Sequence, residues 1–162
     1  MGETGEMDPR FKPIKERDGF ALMPDRWKVD FWASQGELSR FYFELKENAR
    51  LMGTKCPQCG SVYFWPRSWC KDCYVDCDWV EMPLTGKLTV FSRVDISLSE
   101  LRREVPFYQG GVLVDGARYP VIAILQPSGP DELRAGMAVR AKFLPAEERT
   151  GRPRDFYFVP DE

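Results

Sequence analysis

Two Cys-x-x-Cys pairs, Cys56 with Cys59 and Cys70 with Cys73, stand ten residues apart in the stretch KCPQCGSVYFWPRSWCKDCY. Each pair turns two sulfurs to one side of a tight loop, and two such loops face to face make a tetrahedral four-sulfur cage. Zn²⁺ suits that cage because it accepts tetrahedral thiolates and makes no redox demand. All four positions are then filled by protein, so the metal holds structure and takes no substrate. Iron in a tetrahedral sulfur cage satisfies the same geometry and stays open as the alternative metal. Disulfides are disfavoured by the odd count of five cysteines and by the lack of a recognisable signal peptide. A thioredoxin-type redox centre needs one pair opening a helix, not two facing pairs. Pro57 stiffens the first knuckle, and Gly60 can take the positive φ that turns backbone N–H groups toward the sulfurs. The second knuckle, Cys70-Lys71-Asp72-Cys73-Tyr74, has neither aid. Cys77, four residues past the last ligand, reads as a spare thiol.

Histidine is absent from all 162 residues. Ser-His-Asp and Cys-His nucleophile arrangements, and the usual general base near neutral pH, are therefore excluded. There is no P-loop and no Gly-x-Gly-x-x-Gly, so independent catalysis is disfavoured. Lys plus Arg number 23 against 25 for Asp plus Glu, and four thiolates binding one dication make the net charge more negative still. Such a chain is a poor general binder of phosphate backbones. No apolar run approaches the ~20 residues of a membrane span. The expected location is the cytoplasm.

The elements that must position the cage follow in order. Residues 1–24, with Pro9, Pro13 and Pro24, read as an arm without its own core. Residues 25–53 read as helical. Trp27 and Phe31 fall at i and i+4, and Ser34-Gln35-Gly36-Glu37 matches a capping box. Leu38, Phe41, Tyr42, Leu45, Ala49 and Met52 then follow at helical spacing, with Gly53 as the stop. That stripe suits either a core or a partner, and Phe43 and Leu51 lie off it. Residues 54–80 form the metal ribbon, with a hairpin expected from Val62–Trp65 and Ser68–Trp69 about Pro66-Arg67. Residues 81–162 read as all-β. Gly86–Ile96 alternates so that Leu88 and Val90 share a face, and a helical insert is expected over Ser97–Glu104. Gly111–Val114 and Tyr119–Leu125 form a hairpin about Asp115-Gly116, and Gly136–Leu144 and Asp155–Val159 complete the set. Five short strands with long loops suggest a small closed barrel, with the OB-fold as the best fit.

Helix, Cys-Pro-x-Cys-Gly, ten-residue spacer, Cys-x-x-Cys, Gly-x-Leu, then a barrel with Leu-Arg-Ala-Gly-Met-x-Val and a late phenylalanine is a distinctive order. It resembles a family of acyl-CoA-associated proteins over about residues 30–160. The matching residues are Cys56, Pro57, Cys59, Gly60, Phe64, Pro66, Arg67, Cys70 and Cys73, then Gly86, Leu133 to Gly136, Val139, Phe143 and Phe156. Lys71 stands where the family commonly has proline, and the loop from Ala146 to Arg154 is longer. The implied fold is mainly β with N-terminal helices: a rubredoxin-like four-Cys zinc ribbon followed by a five-stranded OB-fold barrel. The implied role is that of a non-catalytic companion to thiolase-type enzymes, or to acyl-CoA hydratases and retro-aldolases. Such companions scaffold the partner and help form or close its CoA-ester channel. Size and the proline-rich arm are similar to the branch serving benzoylsuccinyl-CoA thiolysis in aromatic hydrocarbon degradation. A thiolase-like partner in a hetero-oligomer, structural Zn²⁺ and a CoA ester at the shared interface are what the resemblance implies.

Aromatic surface beyond the needs of small lobes points the same way. The candidate anchors are Phe41 and Phe43 on the helix, and Phe64, Trp65 and Trp69 on the ribbon. Arg67, Arg93, Arg102 and Arg103 are candidates to meet CoA phosphates or to serve as a solvated face. The rival reading is a single-stranded nucleic-acid binder, with Phe91, Phe107, Tyr108 and Tyr119 stacking bases. A third is an enzyme on its own, using Cys77 or a carboxylate.

Overall fold

The computed structural model describes residues 13–24, 31–96, 104–129 and 131–161. Trp27 and its expected short helix, Arg102, Arg103 and nearly all of the expected helical insert over Ser97–Glu104 lie outside these residues. The chain divides into two units, Met1–Ser34 and Gln35–Glu162.

In the first unit, β1 (Lys15–Arg17) pairs antiparallel with β2 (Phe20–Leu22). Asp18 and Gly19 join them at φ values of 53° and 80°. Two successive positive φ angles make the primed turn whose twist matches a hairpin, and Asp-Gly is its usual sequence. All six strand residues are exposed, so among the described residues this hairpin buries no core of its own.

The second unit opens with a helical run: a 3-10 turn Gly36–Leu38, α1 (Ser39–Phe43) and a wider π turn Glu44–Asn48. Ala49 ends it in the left-handed region at φ 51°, which lets Arg50 N–H reach the Glu44 carbonyl. The helix is shorter than the apolar spacing suggests, and its N-cap is Gln35 rather than Ser34. Met52 and Gly53 belong instead to β3 (Met52–Lys55). Gly53 is no helix stop: a Cβ there would lie 2.6 Å from Met82 Sδ and 2.8 Å from the Tyr63 carbonyl oxygen. Its lack of a side chain permits a close strand approach.

β3 is the centre of a three-stranded sheet, between β4 (Val62–Tyr63) and β5 (Asp78–Glu81). Thr54 lies opposite Tyr63 on one side and Trp79 on the other. The hairpin expected between the two Cys pairs does not form. β4 folds back on β3 with the first Cys pair as its turn, and Trp69 bridges Asp76 around the second pair. Each knuckle is its own hairpin.

The barrel comprises β6 (Thr85–Val94), β7 (Phe107–Val114), β8 (Val121–Leu125), β9 (Ala138–Phe143) and β10 (Phe156–Pro160). It closes in the order β10-β8-β7-β6-β9, antiparallel throughout except where β10 meets β8 in parallel. This is the five-stranded arrangement expected from the sequence. A bulge between Leu88 and Val90 inserts Thr89, whose hydroxyl donates to the Gly111 carbonyl at 2.8 Å. The extra residue reverses the alternation, leaving Leu88 fully buried and Val90 59% exposed, not on one face as the period-two reading had it.

One continuous core joins helix, ribbon and barrel, through Phe41, Leu45 and Leu51, then Phe64 and Met82, to Leu88, Val112 and Phe156. The loop before β10 is fastened by Asp155, which is wholly buried. Its carboxylate accepts N–H bonds from Thr150 (2.6 Å), Gly151 (2.5 Å) and Arg152 (3.1 Å), and the Thr150 hydroxyl at 3.0 Å. Asp155→Ala strands those donors and is expected to cost about 3 kcal/mol, the range for hydrogen bonds to a charged group. Denaturant unfolding reads this, and a loss below about 1 kcal/mol would show the loop holds without it.

Candidate metal centre

Residues on each side of β3 build the cage. In the first knuckle, Cys56 N–H bonds Ser61 O at 2.9 Å and Gly60 N–H bonds Cys56 O at 3.0 Å. The second repeats the pattern: Cys70 N–H to Val75 O at 2.8 Å and Tyr74 N–H to Cys70 O at 2.9 Å. Gly60 takes φ 72°, as its position requires. Tyr74 takes φ 57° at the matching position, where a non-glycine residue is strained. Its ring stacks on Trp69 at 6.0 Å, which offsets part of that cost.

Four sulfurs, of Cys56, Cys59, Cys70 and Cys73, lie within 4.8 Å of one another. Cys59 Sγ and Cys70 Sγ are 3.7 Å apart. Four thiolates at about 2.3 Å from one zinc would stand roughly 3.8 Å from each other in a tetrahedron, so the cluster fits a metal of that size. A backbone N–H also points at the sulfurs, from Cys59 to Cys56 Sγ at 3.4 Å. Tyr63, buried under the cage, donates its hydroxyl to Cys70 Sγ at 3.3 Å.

The electrostatics call for a cation. The Tyr63 hydrogen bond draws the Cys70 thiol down to about 6, while burial, reinforced by the neighbouring sulfurs, pushes Cys73 up to about 12. Packed thiols cannot all ionise against one another, but a dication at their centre reverses that repulsion and makes all four thiolates. Cys70, depressed from its ordinary 9.0, contributes its stabilisation fully above that value and loses it as pH falls through about 6. Protons compete with the metal for all four thiolates, so zinc is expected to stay bound at neutral pH and to be released on acidification, measured with a metal-sensitive dye. Release already complete above neutral pH would contradict this cage.

Cys77 is not one of the four; half-buried, it packs against the cluster of Cys56, Tyr63 and Cys70, with its N–H on the Ser68 carbonyl at 2.9 Å. Burial pushes its thiol up, which disfavours the reactive thiolate. Among the candidate anchors the structure makes a division. Phe41 and Phe64 are each 2% exposed and belong to the core, so burial removes them as surface anchors. Trp65 is half-buried and packs edge-on against Phe41 at 5.3 Å. Phe43 is 60% exposed and Trp69 50%, and Arg67, two residues before Trp69, is exposed. Leu51 is buried, not an extension of a partner surface. The sequence reading missed Arg118 in the β7–β8 loop, which ties ribbon to barrel. Its N–H bonds Val62 O at 2.9 Å, and its guanidinium meets Ser61 Oγ and the Asp72 carboxylate. Lys71, then Arg118, hold the Asp72 carboxyl below the usual range.

A rubredoxin-like cage carried on a five-stranded closed barrel defines the class of protein. The model of the ChsH2 rubredoxin-like zinc ribbon domain matches residues 43–79. A DUF35 domain-containing scaffold protein of Methanocaldococcus jannaschii is 30% identical over 112 residues, covering 67% of this chain and 78% of the relative. The chain belongs to this DUF35 family of zinc-ribbon and OB-fold proteins. Two solved structures share the fold. The Ltp2-ChsH2(DUF35) aldolase matches with a TM-score of 0.61 at 23% identity, over 80% of this chain and 98% of that one. A DUF35 protein of unknown function from Sulfolobus solfataricus matches with a TM-score of 0.55 at 18% identity, over 78% and 87%. Among the described residues, no helix is long and apolar enough to cross a membrane.

Proposed function

We propose that this chain is a non-catalytic companion subunit of an acyl-CoA-processing enzyme of the thiolase type. It scaffolds that enzyme and helps to form or close its CoA-ester site. The observation that carries this reading is the alignment, over most of the chain, with a relative described as a scaffold protein. The solved neighbour whose name joins a DUF35 component to an aldolase supports an enzyme as the thing scaffolded. Exposed apolar side chains supply a surface for it, among them Phe43, Trp69, Val90 and Ile122. Zn²⁺ on Cys56, Cys59, Cys70 and Cys73 folds the ribbon, which lies in the chain between the helical run and the barrel. At its finest the reading assigns the complex to benzoylsuccinyl-CoA thiolysis in the cytoplasm.

The chemistry of the rivals is weaker. A strand-tracking nucleic-acid groove needs unpaired cations in a row. Here Arg93 lies on Asp95 at 2.8 Å, Arg140 on Asp161 at 2.8 Å, and Arg118 on Asp72. Cys77, with its thiol raised, is a poor nucleophile. Reconstitution tests the reading: thioester turnover is expected when the large subunit and this chain are mixed, and from neither alone. Turnover by this chain alone, lost in Cys77→Ala, would overturn it.

A further inference from the structure

The two metal knuckles are built alike and differ at one position. Gly60 and Tyr74 each donate an N–H to the carbonyl of the first cysteine of their pair, at 3.0 Å and 2.9 Å. Both are left-handed, at φ 72° and 57°. Glycine closes the first knuckle in that conformation without steric penalty, whereas tyrosine closes the second against its own preference. The fold gains little from the ring in return. Tyr74 is 79% exposed, and its aromatic partner is Trp69, itself 50% exposed, with centroids 6.0 Å apart and 15° between the planes. Strain retained where packing does not require it marks a surface under a functional demand.

The second knuckle thus ends in an exposed two-ring platform, and its unpaired charge is negative. Asp76 lies opposite Trp69 across the knuckle and is exposed. A cavity of about 240 Å³ opens there, lined by Glu37, Ser68, Asp76 and Trp79 among others. Neither Glu37 nor Asp76 is in an ion pair among the described residues. Lys71, in the knuckle itself, is already engaged by Asp72 at 2.7 Å. Free carboxylates beside exposed rings repel a phosphate and favour a cation with a flat face. A guanidinium meets both demands, stacking on tyrosine or tryptophan while its fork of donors reaches a carboxylate. We propose that the Trp69–Tyr74 platform, with Asp76 at its side, is the docking point for an arginine of a protein partner. Tyr74 is then held in its strained conformation for a contact outside this chain, in the way that aromatic residues anchor interfaces. That the partner is the enzyme subunit rests on the companion reading above.

The affinity of the full, zinc-loaded chain for the protein that co-purifies with it from its native cell tests this. Tyr74→Gly relieves the backbone, so it is expected to keep its zinc and to melt within about 4 °C of the parent. It is nonetheless expected to bind the partner about tenfold or more weakly, the scale of one interface anchor. Tyr74→Phe keeps the ring face and is expected to bind as the parent does. Asp76→Asn is expected to weaken binding and to flatten its salt dependence, because a screened charge pair is gone. Trp69→Ala is the second truncation of the platform, read in the same way should Tyr74→Gly lose its metal. Undiminished binding by both truncations, a loss in Tyr74→Phe equal to that in Tyr74→Gly, or a salt dependence indifferent to Asp76→Asn would each overturn the proposal. So would a parent chain whose only partner through this platform is a second copy of itself. The two readings fail separately. An acyl-CoA enzyme held equally by parent and truncations sinks the platform alone, and a different protein released by Tyr74→Gly and Asp76→Asn sinks the companion reading alone.

Discussion

Cys70→Ser is expected to abolish zinc binding and to unfold the ribbon. The thiolate is the ligand, and a serine hydroxyl does not ionise to replace it. Structural zinc contributes about 10–16 kcal/mol apparent in finger peptides, comparable to the entire net stability of an ordinary domain. Little else could hold the ribbon. Its sheet has short strands, β4 being two residues long, and the cluster beneath the cage is Cys56, Tyr63 and Cys70 with partly buried neighbours. The damage should spread further, because Phe64 follows Tyr63 directly and lies in the core shared with the barrel. Metal analysis together with thermal unfolding reads both effects. One zinc per chain and an unchanged melting temperature in the variant would show that the four sulfurs do not form the fold's metal site.

Phe64→Ala is expected to cost about 3–5 kcal/mol, the usual range for removing a buried phenylalanine. Its ring lies 5.2 Å from Trp65, 6.3 Å from Phe41 and 6.3 Å from Phe156, so one truncation opens a cavity between ribbon, helix and barrel. For a chain of this length that loss lowers the melting temperature by roughly 6–20 °C. Trp69→Ala supplies the contrast. Trp69 is half exposed and stacks chiefly on Tyr74, so its removal should change stability by no more than about 1 kcal/mol. If Phe64→Ala melted like the parent while Trp69→Ala did not, the division between core and surface would be inverted.

The cage was legible because its chemistry is local. Cys-x-x-Cys fixes two ligands within one turn, and the glycine of the first knuckle announces the positive φ that the structure shows. The barrel strands were legible because each carries its own alternation and turn residues. Pairing was not, since β4 folds back on β3 across the first Cys knuckle, Lys55 opposite Val62, so the turn is the metal loop rather than Pro66-Arg67. The bulge at Thr89 escaped for a related reason: a single inserted residue leaves the composition unchanged and reverses every side chain after it. Gly53 resembled a helix stop, yet the need for a glycine came from Met82 and Tyr63, one distant in sequence and one on a neighbouring strand. Phe41 and Phe64 show the same limit. An aromatic residue declares that it will be desolvated, but whether by its own fold or by a partner depends on what the chain places above it. The hairpin at Asp18-Gly19 was missed as well, although Asp-Gly is a readable turn signal.

Affinity purification of the full chain from its native cell, with metal analysis of the same sample, tests the companion-subunit reading most directly. The expected result is a stoichiometric acyl-CoA enzyme, of the thiolase type, together with about one zinc per chain. Zinc-loaded chain recovered without such an enzyme, or recovered with nucleic acid in its place, would contradict the reading and leave only the fold in common with its relatives.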